Sequence, residues 1–276
     1  MKILVTGATG FIGNYVLNKL ISSGDDVIVF GRNIDKASRF DWYKSVTFIE
    51  YEIGNTISDD ILIQISGVEK LIHLAWSGLP NYNSITHIED NLIQQYSFLK
   101  QIILFGIRDI TITGTCFEYG IKNGPLDPSM PTNPSNPYAL AKDSLRKMLV
   151  FLQKENNFNL KWVRLFYMYG KGQSKFSILS QLEKAINDGL PIFNMSGGEQ
   201  LRDYLPVEIV TEKLVDFAKM DINLGVVNLA SGVPISIRTL VENYVKTNNK
   251  TIKFNFGYYP YPDYEPMSFW GIPYSN

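Results

Sequence analysis

Lys2-Ile3-Leu4-Val5-Thr6 runs directly into Gly7-Ala8-Thr9-Gly10-Phe11-Ile12-Gly13, and the reading of this stretch decides the fold. Five residues dominated by branched apolar side chains predict a strand buried on both faces, as in a parallel sheet. Phe11, Ile12, Val16, Leu17, Leu20 and Ile21 then recur at helical spacing, with Gly24 as a C-terminal stop. Between strand and helix, Gly7 permits a tight turn, Gly10 lets the backbone approach a pyrophosphate, and Gly13 allows the helix to pack closely on the strand. The helix N-terminus offers free N–H groups and the positive end of its dipole to phosphate. The spacing is G-x-x-G-x-x-G rather than G-x-G-x-x-G, so the context of strand and helix carries the reading of a dinucleotide cradle.

Outward from the cradle, strand-like runs alternate with helix-like ones. Val27–Phe30, Val46–Tyr51, Lys70–Ala75, Asp109–Thr113 and Leu160–Leu165 read as strands; residues 57–65, 88–105 and 137–154 carry helical spacing. This alternation predicts an α/β fold with a doubly wound parallel sheet of the Rossmann type. Residues 1–169 form the dinucleotide-binding domain, with some later segments returning to it. Residues 170–276, where the rhythm loosens and Gly, Pro and aromatics gather, form a smaller α/β substrate lobe. The second strand ends in Gly31-Arg32, without the carboxylate that commonly meets the adenosine ribose, so NADP(H) is favoured and NAD(H) is the alternative. The bland reading of Arg32 is a solvated loop cation.

The 276 residues carry 26 basic and 27 acidic side chains, which gives no electrostatic footprint for nucleic acid. One cysteine cannot make an intrachain disulfide, and two histidines without ligand spacing argue against a metal centre. No apolar run reaches bilayer length and no signal-peptide pattern opens the chain, so a cytoplasmic protein without membrane contact is expected. His73 is expected in or beside the sheet.

Chemistry gathers in the middle of the chain. Tyr138 and Lys142 stand four apart on a helix that starts with Asn136 as N-cap and Pro137 at its first position, with Ala141, Leu145, Met148 and Leu152 as its buried stripe. Residues i and i+4 share a face, so the Lys142 ammonium is expected to lower the Tyr138 phenol pKa. Alone, Y-x-x-x-K is a weak motif. Position strengthens it, because Ile110-Thr111-Ile112-Thr113 delivers Gly114-Thr115 at the carboxyl end of a strand, where ligands bind in open α/β sheets. Thr115 then offers a hydroxyl to a reacting oxygen, or merely caps a turn. Glu118 is a candidate auxiliary acid, with a solvated or cap-like carboxylate as its ordinary role.

With these motifs in hand, the sequence resembles the extended short-chain dehydrogenase/reductases called NAD-dependent epimerase/dehydratases. Leu71-Ile72-His73-Leu74-Ala75-Trp76 is similar to the family's fourth-strand segment, and Asn91 to an asparagine of the following helix. Arg164–Gly170, Arg202-Asp203-Tyr204-Leu205-Pro206-Val207 and Asn228-Leu229-Ala230-Ser231-Gly232 resemble later family elements. The resemblance implies Thr115, Tyr138 and Lys142 as catalytic residues. It implies a cofactor site of Gly7, Gly10, Phe11, Ile12, Gly13, Arg32, Glu52, Ile53, Leu74, Ala75, Trp76, Thr113 and Lys142, and a substrate side of Asn81, Cys116, Tyr167 and Arg202. Glu52-Ile53 stands where the family commonly has Asp-Ile or Asp-Leu, and Tyr167 replaces an asparagine.

Within the family, Trp76–Tyr82, Gly114–Gly120 and Tyr138–Asp143 look most like the 4-ketoreductases of 6-deoxyhexose nucleotides. The implied reaction is reduction of an NDP-4-keto-6-deoxyhexose, dTDP-linked, toward surface polysaccharide, by a protein that forms a homodimer as many relatives do. The alternatives are an NDP-sugar 4-epimerase with the same triad and a non-catalytic dinucleotide-sensing regulator. Against the family, the sequence is expected to lack a C-terminal helical extension that many relatives have; the aromatic tail, Tyr258 to Trp270, is then expected to take its place against a base or simply to pack on the core.

Overall fold

The computed structural model describes residues 1–261 and 265–275. Seven strands form its central sheet: β1 (Lys2–Thr6), β2 (Asp26–Gly31), β3 (Thr47–Glu50), β4 (Lys70–His73), β5 (Asp109–Thr115), β6 (Asn159–Leu165) and β7 (Gly225–Leu229). Their spatial order is β7-β6-β5-β4-β1-β2-β3, and every pairing is parallel. The order reverses between β1 and β4. A crevice opens there at the carboxyl ends of the strands, the place where doubly wound sheets bind ligands.

Helices cover both faces because the strands are apolar on both. α1 (Phe11–Ser22) and α5 (Val207–Lys219) pack on one face through Val16, Leu17, Leu20, Val210 and Leu214. α2 (Leu92–Phe105) and α3 (Pro137–Glu155) cover the other through Phe98, Leu99, Ile102, Leu145 and Leu149. α5 and β7 lie beyond residue 170 yet belong to this layered core. α4 (Ile178–Asn187) and α6 (Ile237–Thr247) enclose a second, smaller core with Phe193, around the parallel pair Ile192–Asn194 and Lys253–Asn255.

The differences from the sequence reading are local. α2 is preceded by a π turn, His87–Asn91, so the helical spacing from residue 88 spans two kinds of turn. On α3, Leu149 is fully buried while Met148 is only partly so. β5 runs two residues longer than expected and ends on Thr115 itself. The tail largely packs on the core: Phe269–Gly271 pairs with Gly124–Leu126, and Phe269 is buried against Phe166 and Tyr167. Tyr258 and Tyr259 remain exposed, and the part of the expected tail at residues 262–264 lies outside the described residues. No helix among the described residues is long and apolar enough to cross a membrane.

His73, fully buried at the end of β4, ties three elements together. The Ala75 N–H donates to the Thr6 hydroxyl, which donates to His73 Nδ1 at 2.8 Å, while Nε2 donates to Gln95 Oε1 at 2.6 Å. Burial first, and the Lys142 charge second, lower its pKa from 6.5 to about 3, against the opposing bond to Gln95. The ring is therefore neutral in the fold. Between pH 6.5 and about 3 the unfolded chain binds the extra proton, so stability declines as pH falls, by at most ~1.4 kcal/mol per pH unit. His73→Asn should lower the thermal midpoint at pH 7 yet flatten its fall between pH 6.5 and 4; an unchanged slope in a melting series would contradict this account.

Candidate active site

Gly7, at φ +77°, places its α-carbon where a side chain could not fit: a Cβ would meet Ala75 N at 2.7 Å and Leu74 C at 2.8 Å. At Gly13 a Cβ would stand 2.1 Å from Gly7 O. These two contacts draw the strand ends and α1 together. The cleft above them is lined by Gly7, Ala8, Gly10, Arg32, Glu52 and Ala75, joined by Ile53, Leu74 and Trp76. The cleft's shape and bare N-terminal backbone fit a dinucleotide. Phe11 and Ile12 open α1, and Gly13 serves packing rather than the cleft wall. Sequence reading missed Gln94 and Gln95, which line the same cleft from α2.

At the outer end of the cleft, Arg32 Nη1 stands 3.6 Å from Glu52 Oε1, both side chains largely exposed. A carboxylate is thus present near Arg32, supplied by the segment after β3 rather than by the end of β2. The β2–β3 pairing, Gly31 opposite Glu50, brings it there.

A second cavity, lined by Asn81, Tyr82, Cys116, Phe117, Glu265 and Phe269, opens beyond α3. Tyr138 lies between the two cavities. Its ring packs on Trp76 of the first at 5.9 Å and on Tyr82 of the second at 5.4 Å. Asn136 accepts from the Ala139 N–H, and Pro137 occupies the first turn, so α3 begins as predicted and its opening residues present Tyr138 at the junction. His87 buttresses the facing loop: Nε2 donates to Asn81 O at 2.8 Å, and Nδ1 accepts from Trp76 Nε1 and Asn91 Nδ2, each at 3.1 Å. Asn91 also donates to Ser77 O.

Lys142, fully buried, donates to Thr113 O at 2.8 Å and stands 4.3 Å above the Trp76 ring. Burial draws its pKa from 10.5 to about 7, with the Glu118 charge partly opposing. Tyr138 moves opposite to the expected direction: burial pushes the phenol far above its usual range, Tyr82, Glu118 and Cys116 add to the rise, and the Thr115 hydroxyl alone opposes it. Desolvation of the phenolate outweighs a neighbouring ammonium that is itself partly neutralised by burial. The phenol is thus held protonated.

Glu118 is neither solvated nor turned toward the reacting groups. It caps the 3-10 turn Cys116–Tyr119, accepting from the Thr115 N–H at 2.9 Å, and is fully buried in an ion pair with Arg164. Among the substrate-side residues, Asn81 and Cys116 reach the second cavity. Tyr167 and Arg202 stand behind its wall, where both donate to Glu265, at 3.2 and 2.8 Å, and Arg202 lies over Phe269. Glu265 had no signal in the sequence, sitting in an aromatic, proline-rich tail. Asp203 accepts from the Ser231 and Gly232 N–H groups, so the paired late motifs hold each other. No cluster fit to hold a metal occurs among the described residues.

The profile of the NAD-dependent epimerase/dehydratase family matches residues 3–221. The dTDP-6-deoxy-L-talose 4-dehydrogenase (NAD(+)) of Aggregatibacter actinomycetemcomitans is 31% identical over 272 residues, 98% of this chain and 99% of that protein. A UDP-glucose 4-epimerase of Halalkalibacterium halodurans is 25% identical, over 88% of this chain and 79% of its own. The crystal structure of UDP-glucuronic acid 4-epimerase from Bacillus cereus in complex with NAD superposes with a TM-score of 0.81 at 22% identity, covering 98% of this chain and 89% of that one. The chain belongs to the NAD-dependent epimerase/dehydratase family. It is an enzyme that works on a CH–OH or C=O group with a nicotinamide cofactor.

Burying Lys142 costs stability. Between pH 7 and 10.5 the unfolded chain holds the extra proton, so this group's contribution improves as pH rises. Lys142→Met should therefore stabilise the fold at pH 7 by about 0.5–2 kcal/mol, a gain that shrinks toward pH 10. Melting curves at both pH values test this, and a midpoint that falls at pH 7 would refute it.

Proposed function

We propose that this enzyme reduces the C4 keto group of an NDP-4-keto-6-deoxyhexose, dTDP-linked, and runs the reverse oxidation. The observation that carries the reading is the placement of Tyr138 at the junction of a dinucleotide cleft and a second cavity, with Thr115 beside it. The talose-nucleotide 4-dehydrogenase likeness, spanning nearly the whole of both chains, supports the sugar class and the C4 position.

Gly7, Gly10 and the N-terminus of α1 would hold the pyrophosphate of the nicotinamide cofactor, which supplies the hydride when bound. Tyr138, protonated through burial, donates its proton to the oxygen developing at sugar C4. Thr115 hydrogen-bonds that oxygen and fixes the carbonyl against the phenol. Lys142, anchored to Thr113 O, supplies the local positive charge that steadies a phenolate once the proton has left. Asn81, Cys116, Tyr82 and Phe117 line the space for the sugar nucleotide, and Arg202 with Tyr167 fixes Glu265 in its wall. Tyr138→Phe should reduce turnover by on the order of 10²–10⁴-fold while nucleotide binding persists. Undiminished turnover, followed at 340 nm with NMR of the sugar product, would remove Tyr138 from the reaction and overturn the reading; nucleotide binding with no turnover even in the wild type would favour the sensing role.

The epimerase reading has the same triad and the likeness to UDP-glucose 4-epimerases in its favour. Net loss of 340 nm absorbance, one cofactor per sugar, separates reduction from epimerisation, which consumes none.

For the cofactor, Glu52 changes the balance drawn from Arg32 alone. Its carboxylate offsets the attraction of Arg32 for a 2′-phosphate, so NAD(H) rather than NADP(H) is the proposed partner. Glu52→Gln should then raise kcat/KM with NADPH relative to NADH by about tenfold, the effect of roughly 1.4 kcal/mol. An unchanged ratio would remove Glu52 from cofactor choice.

A further inference from the structure

We propose that Glu118 is a positioning residue of the reaction: one buried carboxylate holds Thr115 at the end of β5 and fixes a negative charge behind the Tyr138–Lys142 pair. The inference rests on the proposed proton-transfer role of that pair.

The carboxylate has no exposed surface and is used on every side. Oε1 accepts from the Thr115 N–H at 2.9 Å and from Trp162 Nε1 at 2.9 Å; Oε2 accepts from Arg164 Nε at 2.7 Å. Gly114 makes room for this. A Cβ there would stand 2.2 Å from Trp162 Nε1 and 2.6 Å from Glu118 Oε1. The Thr115 hydroxyl accepts from Phe117 N in the same turn, so the carboxylate and the turn fix backbone and hydroxyl together. Trp162 connects the carboxylate to the Lys142 side, its ring lying 5.9 Å from Lys142 Nζ.

The charges around the pair come from several elements. Tyr82, Cys116 and the His87 ring lie beside Tyr138, the Glu118 charge acts on it from behind Thr115, and His73 lies near Lys142. Arg164 directs its guanidinium toward Pro128 O and the Tyr119 ring, while Arg146 stands 3.9 Å from the carboxylate and bonds Asp143. Glu118 favours the protonated form of both Tyr138 and Lys142. Without its charge, both groups release protons at lower pH.

The test compares wild type, Glu118→Gln and the double variant Glu118→Gln/Arg164→Met, which removes the carboxylate without stranding a buried guanidinium. Two quantities are read: kcat and KM for reduction of a dTDP-4-keto-6-deoxyhexose by NADH, and the NMR titration of Lys142 Nζ in the cofactor-free protein, assigned by difference from Lys142→Met. The expected result is a lowered kcat with KM little changed and a downward shift of the Lys142 midpoint by about one pH unit in the single variant, with a smaller shift in the same direction in the double, which also loses the Arg164 charge. A lowered rate with the Lys142 midpoint unmoved would leave Glu118 a structural cap and overturn the proposal. Because the Lys142 titration needs no turnover, it stands apart from the Tyr138→Phe test of the reaction itself.

Discussion

Backbone meets backbone at Gly7 without room for a side chain, and the two halves of the site are arranged around that approach. The carbonyl of Gly7 packs under Gly13 of α1, and its α-carbon sits against the Leu74–Ala75 peptide that leaves β4. The same Thr6–His73–Gln95 chain of hydrogen bonds that fastens β1 to β4 fastens both to α2. The cleft floor at this point is therefore closely apposed backbone. At the cleft's rim Arg32 and Glu52 meet solvent and Trp76 turns toward Tyr138.

Burial, rather than pairwise charge, governs the ionisable groups near this floor. His73, Tyr138 and Lys142 are each shifted toward the neutral form chiefly by loss of water. In the proposed reaction, an acid donating to the sugar oxygen gains from being kept protonated, and a lysine near neutrality costs less to bury than a permanent cation. The fold tolerates this because the surrounding polar atoms are matched: Thr113 O takes the ammonium, and Gln95 and Thr6 take the imidazole.

Local pattern made the first half of the molecule legible. Strand, glycine turn and helix at residues 2–22, the Asn136-Pro137 start of α3 and the delivery of Thr115 at a strand end all depend on neighbours within a few residues, which the sequence displays. The cap-like role of Glu118 was legible locally, but its burial was not, because the partners that bury it, Trp162 and Arg164, lie 44 and 46 residues on and meet it only through the register of β5 with β6. Glu52 is an intermediate case. Once β2 and β3 are taken as neighbours, the segment after β3 must pass the end of β2, so the pairing with Arg32 was recoverable from topology though not from the residues beside it. The direction of the Tyr138 shift was missed for a further reason: helical spacing reports who is near, whereas the dominant influence is how much water is excluded.

The union of Phe269–Gly271 with Gly124–Leu126 has a consequence for how such a catalyst diversifies. One wall of the second cavity is built by a short ribbon from the far end of the chain, clasped through Glu265 to Arg202, while the dinucleotide cleft and Tyr138 and Lys142 lie within the first 142 residues. Exchange of that ribbon for another would reshape this wall of the cavity while leaving the cleft at Gly7 and the start of α3 untouched, so the two cavities can vary independently along the chain.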